Sequence, residues 1–82
     1  GTAAAFRNGL PAALFERQGK TLRVFAAEGL EELLLLFVEE YRKGRIFPAR
    51  KRIVVTEYPE EAAKALSRSG FIREMQDYVL YR

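Results

Sequence analysis

Between Glu28 and Lys43 (EGLEELLLLFVEEYRK), apolar side chains recur at Leu30, Leu33, Leu34, Phe37, Val38 and Tyr41. Steps of three and four residues put all of them on one face of an amphipathic α-helix, the segment best able to organise a core. Glu28, Glu31 and Glu32 open the stretch and Arg42 and Lys43 close it, the order of charge that suits the positive and negative ends of a helix dipole. Gly44 follows as the stop, in the C′ position where a left-handed residue ends a helix.

Upstream the period changes to two. Thr2–Arg7 (TAAAFR) and Leu10–Glu16 (LPAALFE) flank Asn8-Gly9, a pair favoured in type I′ hairpin turns because both central residues need positive φ. Pro11 has no N–H to give to a ladder and belongs at a strand start or on an edge. A second turn, Arg17–Lys20, leads into Thr21–Phe25 (TLRVF), with Leu22 and Val24 on one face and Arg23 and Phe25 on the other.

Downstream of Gly44, Pro48 blocks any continuation of the helix. Arg52–Glu57 (RIVVTE) is dense in β-branched residues, and three successive apolar positions, Ile53, Val54 and Val55, predict a central strand buried on both faces. Pro59, Glu60 and Glu61 read as the start of a second helix, Pro59–Ser69, with a small-residue face of Ala62, Ala63, Ala65 and Leu66. Gly70 is its expected C′ residue, with Phe71 folding back on Leu66. Phe71–Glu74 and Tyr78–Tyr81 are two short strands around a turn at Met75–Asp77. The resulting order, βββ-α-β-α-ββ, predicts an α+β two-layer domain with an antiparallel or mixed sheet packed against two helices; a curled, barrel-like sheet is the alternative.

Composition narrows the chemistry. Eighty-two residues make one domain (1–82), and 49% hydrophobic with 30% charged residues is a globular balance. There is no cysteine and no histidine, which removes disulfides, thiolate chemistry and nearly all zinc sites and fits a reducing, cytoplasmic setting. The opening GTAAAFRNGLPAALFERQ lacks the basic and apolar regions of a secretory signal. The longest apolar run, Leu33–Val38, is far short of a membrane span, so no membrane partner is expected.

The net charge is only +3, but it is unevenly spread: Arg42–Arg52 (RKGRIFPARKR) holds six bases and no acid, whereas Glu28–Glu40 holds five acids and no base. A basic block of this kind attracts phosphate backbones; a connection between a helix and a strand is also often basic merely to stay solvated. The candidate nucleic-acid contacts are therefore Arg42, Lys43, Arg45, Arg50, Lys51 and Arg52. Phe47 among them is either a base-stacking ring or, with Ile46, a plug for one end of the core. Leu35 and Leu36 flank the main apolar stripe of the first helix. Either a curved sheet grips them or they form an interface.

Catalytic constellations are not found. Gly19-Lys20-Thr21 echoes a phosphate-binding loop, but position 14 is Leu14 where the motif needs glycine, and Thr21 opens a strand rather than a helix. The carboxylate pairs Glu31/Glu32, Glu39/Glu40 and Glu60/Glu61 are adjacent on helices and diverge. With no serine beside a base, the chain is expected not to be an enzyme and to take no small-molecule substrate.

The N-terminal half resembles a stretch near the C-terminus of the large Lhr-type (long helicase-related) DEAD/DEAH-box helicases. That stretch has an x-G-x-P hairpin turn, here Asn8, Gly9, Leu10 and Pro11, then an apolar strand and E-R-x-G-(K/R)-(T/S)-L, here Glu16, Arg17, Gln18, Gly19, Lys20, Thr21 and Leu22. The later order is similar too: an apolar helix, R-K-G-R at Arg42–Arg45, a V-x-E strand at Val55–Glu57 and A-L-x-x-x-G-F at Ala65–Phe71. The chain departs from the pattern after Glu57, passing through Tyr58 directly to Pro59 without the family's N/D-G-E-P turn, and it ends in Asp77–Arg82 instead of G-L-x-L-R. The resemblance implies a non-catalytic C-terminal accessory domain of an ATP-dependent DNA helicase involved in DNA repair. Its partners would be the preceding domains of that parent and DNA or RNA. ATP and Mg would serve the parent's RecA-like domains, and no cofactor is expected for these residues, which contain no Walker or DExH motif.

Overall fold

The computed structural model describes every residue from Gly1 to Arg82, and its first hairpin shows how turn chemistry sets register. Strands β1 (Ala3–Arg7) and β2 (Leu10–Glu16) are joined at Asn8 and Gly9, with φ of 54° and 80°, the left-handed pair that the turn requires. The ladder runs Ala3 opposite Phe15 to Ala5 opposite Ala13, then shifts so that Phe6 faces Pro11. Ala12 is the extra residue of this bulge. Its carbonyl is turned to accept from the N–H groups of Phe25 and Ala26, so a bulge beside a proline also fastens the exit of β3 (Thr21–Val24).

β1, β2 and β3 form one antiparallel sheet in that order. After α1 (Leu30–Arg42), the strands β4 (Arg52–Val55), β5 (Ile72–Glu74) and β6 (Asp77–Tyr81) form a second, ordered β4-β6-β5. A 3-10 turn at Glu60–Ala62 leads into α2 (Ala63–Ser69). The chain is thus α+β in the expected element order, with no closed barrel. The sheet itself is divided in two, where a single one was expected. The halves meet where β3 begins and β4 ends: Thr21 and Glu57 form a parallel bridge, Leu22 N–H donates to Glu57 O at 2.8 Å, and Thr56 and Glu57 N–H donate to Lys20 O at 2.9 and 3.1 Å. The seam stays this short because β4 spends its ladder on β6, while β3 turns back to Ala12 after Val24.

β4, expected at the centre of its sheet, lies at its margin, and β6 is the central strand. Tyr78 and Val79 are buried between two neighbours, and Leu80, paired with Ile53, is buried beside them. In β4, Ile53 and Val55 enter the core while Val54 looks the other way, opposite Val79 across the ladder. Three apolar residues in a row reflected two separately covered faces, which a strand on a sheet margin can have as readily as a central one.

The core sits between the sheets and α1. Leu30, Leu34, Phe37, Val38 and Tyr41 are buried as the helical period predicts, and Leu33 is half-buried. Phe37 is the hub: its ring stacks on Phe15 at 4.1 Å between centroids and lies 6.4 Å from Phe71 and 6.5 Å from Tyr41. Both helices end as the sequence indicates. Gly44 and Gly70 have φ of 79° and 118°. The N–H groups behind them, Arg45 to Glu40 O and Phe71 to Leu66 O, bond back at 3.0 Å, closing the last turn in a Schellman arrangement. No helix is long and apolar enough to cross a membrane.

Candidate nucleic-acid interface

The connection from Arg42 to Arg52 begins at the capped end of α1 and is held from beneath. Tyr41, fully buried, donates its hydroxyl to Arg50 O at 2.7 Å. Arg82 reaches in from beyond β6 and donates to Tyr41 O at 2.8 Å, Phe47 O at 3.0 Å and Arg50 O at 2.9 Å. A guanidinium carries five donors in one plane, so a single side chain can serve several carbonyls that the loop has no strand or helix to satisfy. A turn at Phe47–Arg50, closed by Arg50 N–H to Phe47 O at 3.0 Å, completes the frame.

Phe47 takes a left-handed backbone (φ 45°), and its ring packs edge-on against Phe37 with centroids 6.3 Å apart. It is half-buried beside the core together with Ile46, so the ring serves as a plug. The remaining side chains of the run point outward.

Their charges are not equivalent. Lys43 Nζ lies 3.8 Å from Glu39, and Arg45 Nη1 donates to Glu40 at 3.1 Å; these pairs are exposed and loose, but they return part of the run's charge to α1. Arg42 points to Tyr81 O at 3.5 Å. Arg52, opposite Tyr81 in the ladder, shares a shallow groove with Glu74 and Asp77. Arg42, Arg50 and Lys51 have no ion-pair partner, and of these Arg50 and Lys51 belong to the connection beyond the end of α1.

Arg50 has other company. With Gly1, Arg17, Gln18 and Lys20 it lines a hollow of about 310 Å³ that contains no apolar side chain. Arg17 pairs loosely with Glu57 at 3.6 Å, both side chains largely exposed. Arg17 and Lys20 were not among the sequence candidates. They lie thirty or more positions upstream, and the one local signal there, Gly19-Lys20-Thr21, indicated a turn; only the seam between the sheets brings that turn next to Arg50.

The flanking leucines of α1 also separate. Leu36 is 58% exposed and, with Ala3, Ala5 and Phe6 of β1 and Leu33 and Phe37 of α1, lines an apolar cavity of about 230 Å³ beside the free edge of β1. Leu35, 46% exposed, lies outside it. No group of three or more acidic side chains converges in a way that would hold a metal ion. The chain matches no protein-family model, no curated protein and no solved structure, so a reading of its function rests on these residues and their arrangement.

Proposed function

We propose that this chain is a non-catalytic accessory domain of the kind that closes Lhr-type DEAD/DEAH-box ATP-dependent helicases, acting in the cytoplasm in DNA repair and helping its parent hold nucleic acid. ATP hydrolysis would belong to other domains of that parent. The observation that carries the reading is the basic connection itself. Eleven residues with six bases are braced from below by Tyr41 and Arg82, and Arg50 and Lys51 are left without acid partners. Cations on a fixed frame lose little freedom when phosphates arrive, and the counterions those phosphates release drive binding irrespective of sequence.

Fluorescence anisotropy with a labelled oligothymidylate of about twelve nucleotides tests this. The expected result is binding that weakens with salt, with a slope of log K against log[salt] of about −2 for three single-strand phosphate contacts. Arg50→Gln with Lys51→Ala should weaken it. Absence of binding at low salt, or binding indifferent to these changes, would overturn the reading.

A second reading, docking of a neighbouring protein domain without nucleic acid, is favoured by exposed Leu36 over its apolar cavity. Under it, Leu36→Glu abolishes pairing with the preceding domains of the parent, and Leu35→Glu tests the other flank; normal pairing by both folded variants would remove it.

A further inference from the structure

The hollow between the first turn of one sheet and the loop leading into the other is unusual for this surface. Gly1 forms part of its wall, and its side chains are those of Arg17, Gln18, Lys20 and Arg50, three cations and an amide. Such a grouping arises from two distant segments, and both are anchored. Lys20 O accepts from Thr56 N–H, Glu57 N–H and the Thr56 hydroxyl, at 2.9, 3.1 and 3.3 Å. Arg50 O accepts from Tyr41 and Arg82. The turn is itself constrained, since Arg17 and Gln18 are non-glycine residues with φ of 55° and 58° and Gly19 follows at 96°. Three cations therefore face one space from backbones that have little room to move apart.

The acid paired with them is Glu57, 3.6 Å from Arg17 and shared with the hydroxyl of Thr21 at 2.8 Å. Both partners of that ion pair are more than 60% exposed, so it holds Arg17 weakly, and a stronger anion inside the hollow can take the guanidinium over. The chemistry present suits a tetrahedral oxyanion. Arginine offers a planar fork, lysine a compact point charge and glutamine an amide donor.

We propose that Arg17, Gln18, Lys20 and Arg50 form a seat for one phosphate group, supplied by the backbone of a nucleic acid. This rests on the nucleic-acid reading above and sharpens it: the path of the strand leaves the basic connection at Arg50 and crosses the Arg17–Lys20 turn, away from α1, where Lys43 and Arg45 already meet Glu39 and Glu40.

The test combines amide NMR of the 82-residue chain with anisotropy, using the same oligothymidylate and, separately, inorganic phosphate. Arg17→Asn and Lys20→Ala remove charge where the side chains are exposed, asparagine being at ease in a left-handed backbone. Melts within a few degrees of the parent chain confirm that the fold persists. Oligothymidylate should shift the amides of Gln18, Gly19, Lys20 and Arg50. The double variant should bind on the order of tenfold more weakly at low salt, with a salt slope shallower by about 0.7 for the one lost phosphate contact. Arg50→Gln, which keeps its carbonyl on the frame, should act in the same direction. Saturating shifts of the same amides by inorganic phosphate, with no oligothymidylate binding, would keep the seat, assign it to free phosphate and sink the nucleic-acid reading. Oligothymidylate binding that depends on Lys51 but is untouched by Arg17→Asn, Lys20→Ala and Arg50→Gln would overturn the seat while leaving that reading intact. Neither probe shifting these amides nor binding would overturn both.

Discussion

Arg82 secures the end of the central helix through Tyr41: its Nη1 donates to the Tyr41 carbonyl at 2.8 Å while its guanidinium lies 4.2 Å from the centre of the Tyr41 ring. One residue thus receives a hydrogen bond at its backbone and a cation over its side chain. The same guanidinium reaches Phe47 O and Arg50 O, so Arg82 is the internal brace of the basic connection.

Removing the brace should cost stability before it alters charge. Arg82→Ala is expected to destabilise the domain by about 1–2 kcal/mol, given charge-assisted bonds that are partly exposed, and to lower Tm by on the order of 10 °C. Arg82→Lys keeps the charge but not the fork, and should fall between the two. Thermal melts by circular dichroism check both; a Tm unchanged in Arg82→Ala would show that the carbonyls are as well served by water.

Two glycines with positive φ should respond differently to alanine. At Gly9 (φ 80°) a Cβ would meet nothing within 4 Å, leaving only the cost of a left-handed backbone, about 1–2 kcal/mol. At Gly19 (φ 96°) the Cβ would run into Ile53 Cγ2 in the core. Gly19→Ala must displace a fully buried side chain as well and should cost about 3 kcal/mol or more. Equal losses for the two in urea titrations would contradict the close packing at the seam.

Adjacent positions on α1 provide another contrast. Phe37→Ala removes the hub of the aromatic cluster and should cost about 3–5 kcal/mol, most of what a domain of this size has, about 5 kcal/mol; the variant should be only marginally folded at room temperature. Leu36→Glu, one residue away on the exposed side, should stay within about 0.5 kcal/mol of the parent. Urea midpoints measured side by side decide it.

A pH effect is expected at Tyr81. Its hydroxyl hydrogen-bonds to Glu74, and this bond, helped by partial burial and the carboxylate's charge, holds the phenol above the ordinary tyrosine value of 10.0, while Arg52 pulls weakly the other way. Because the folded state favours the protonated phenol, the contribution to stability is complete below the unfolded value and disappears as pH rises through the higher folded one. Ultraviolet titration of tyrosinate, compared with Tyr81→Phe, should place this group's ionisation above the ordinary value, and Glu74→Gln should bring it down. No change with Glu74→Gln would place the cause elsewhere.

Residue pattern alone determined the elements of this protein, because each is a local matter. The stripe from Leu30 to Tyr41, the Asn8-Gly9 turn and the Gly44 and Gly70 caps depend on neighbours a few positions away, and every one forms where its chemistry indicates. The basic run was equally visible as a string of charges. What only the tertiary structure decided is how distant segments share space. The strands fall into two sheets joined at a seam of Lys20 and Glu57, β6 rather than β4 takes the middle of the second, and Arg17 and Lys20 come to stand beside Arg50. Pairing between strands and convergence of charges are set by long-range hydrogen bonds and by which surfaces pack against α1, and no periodicity along the chain encodes either.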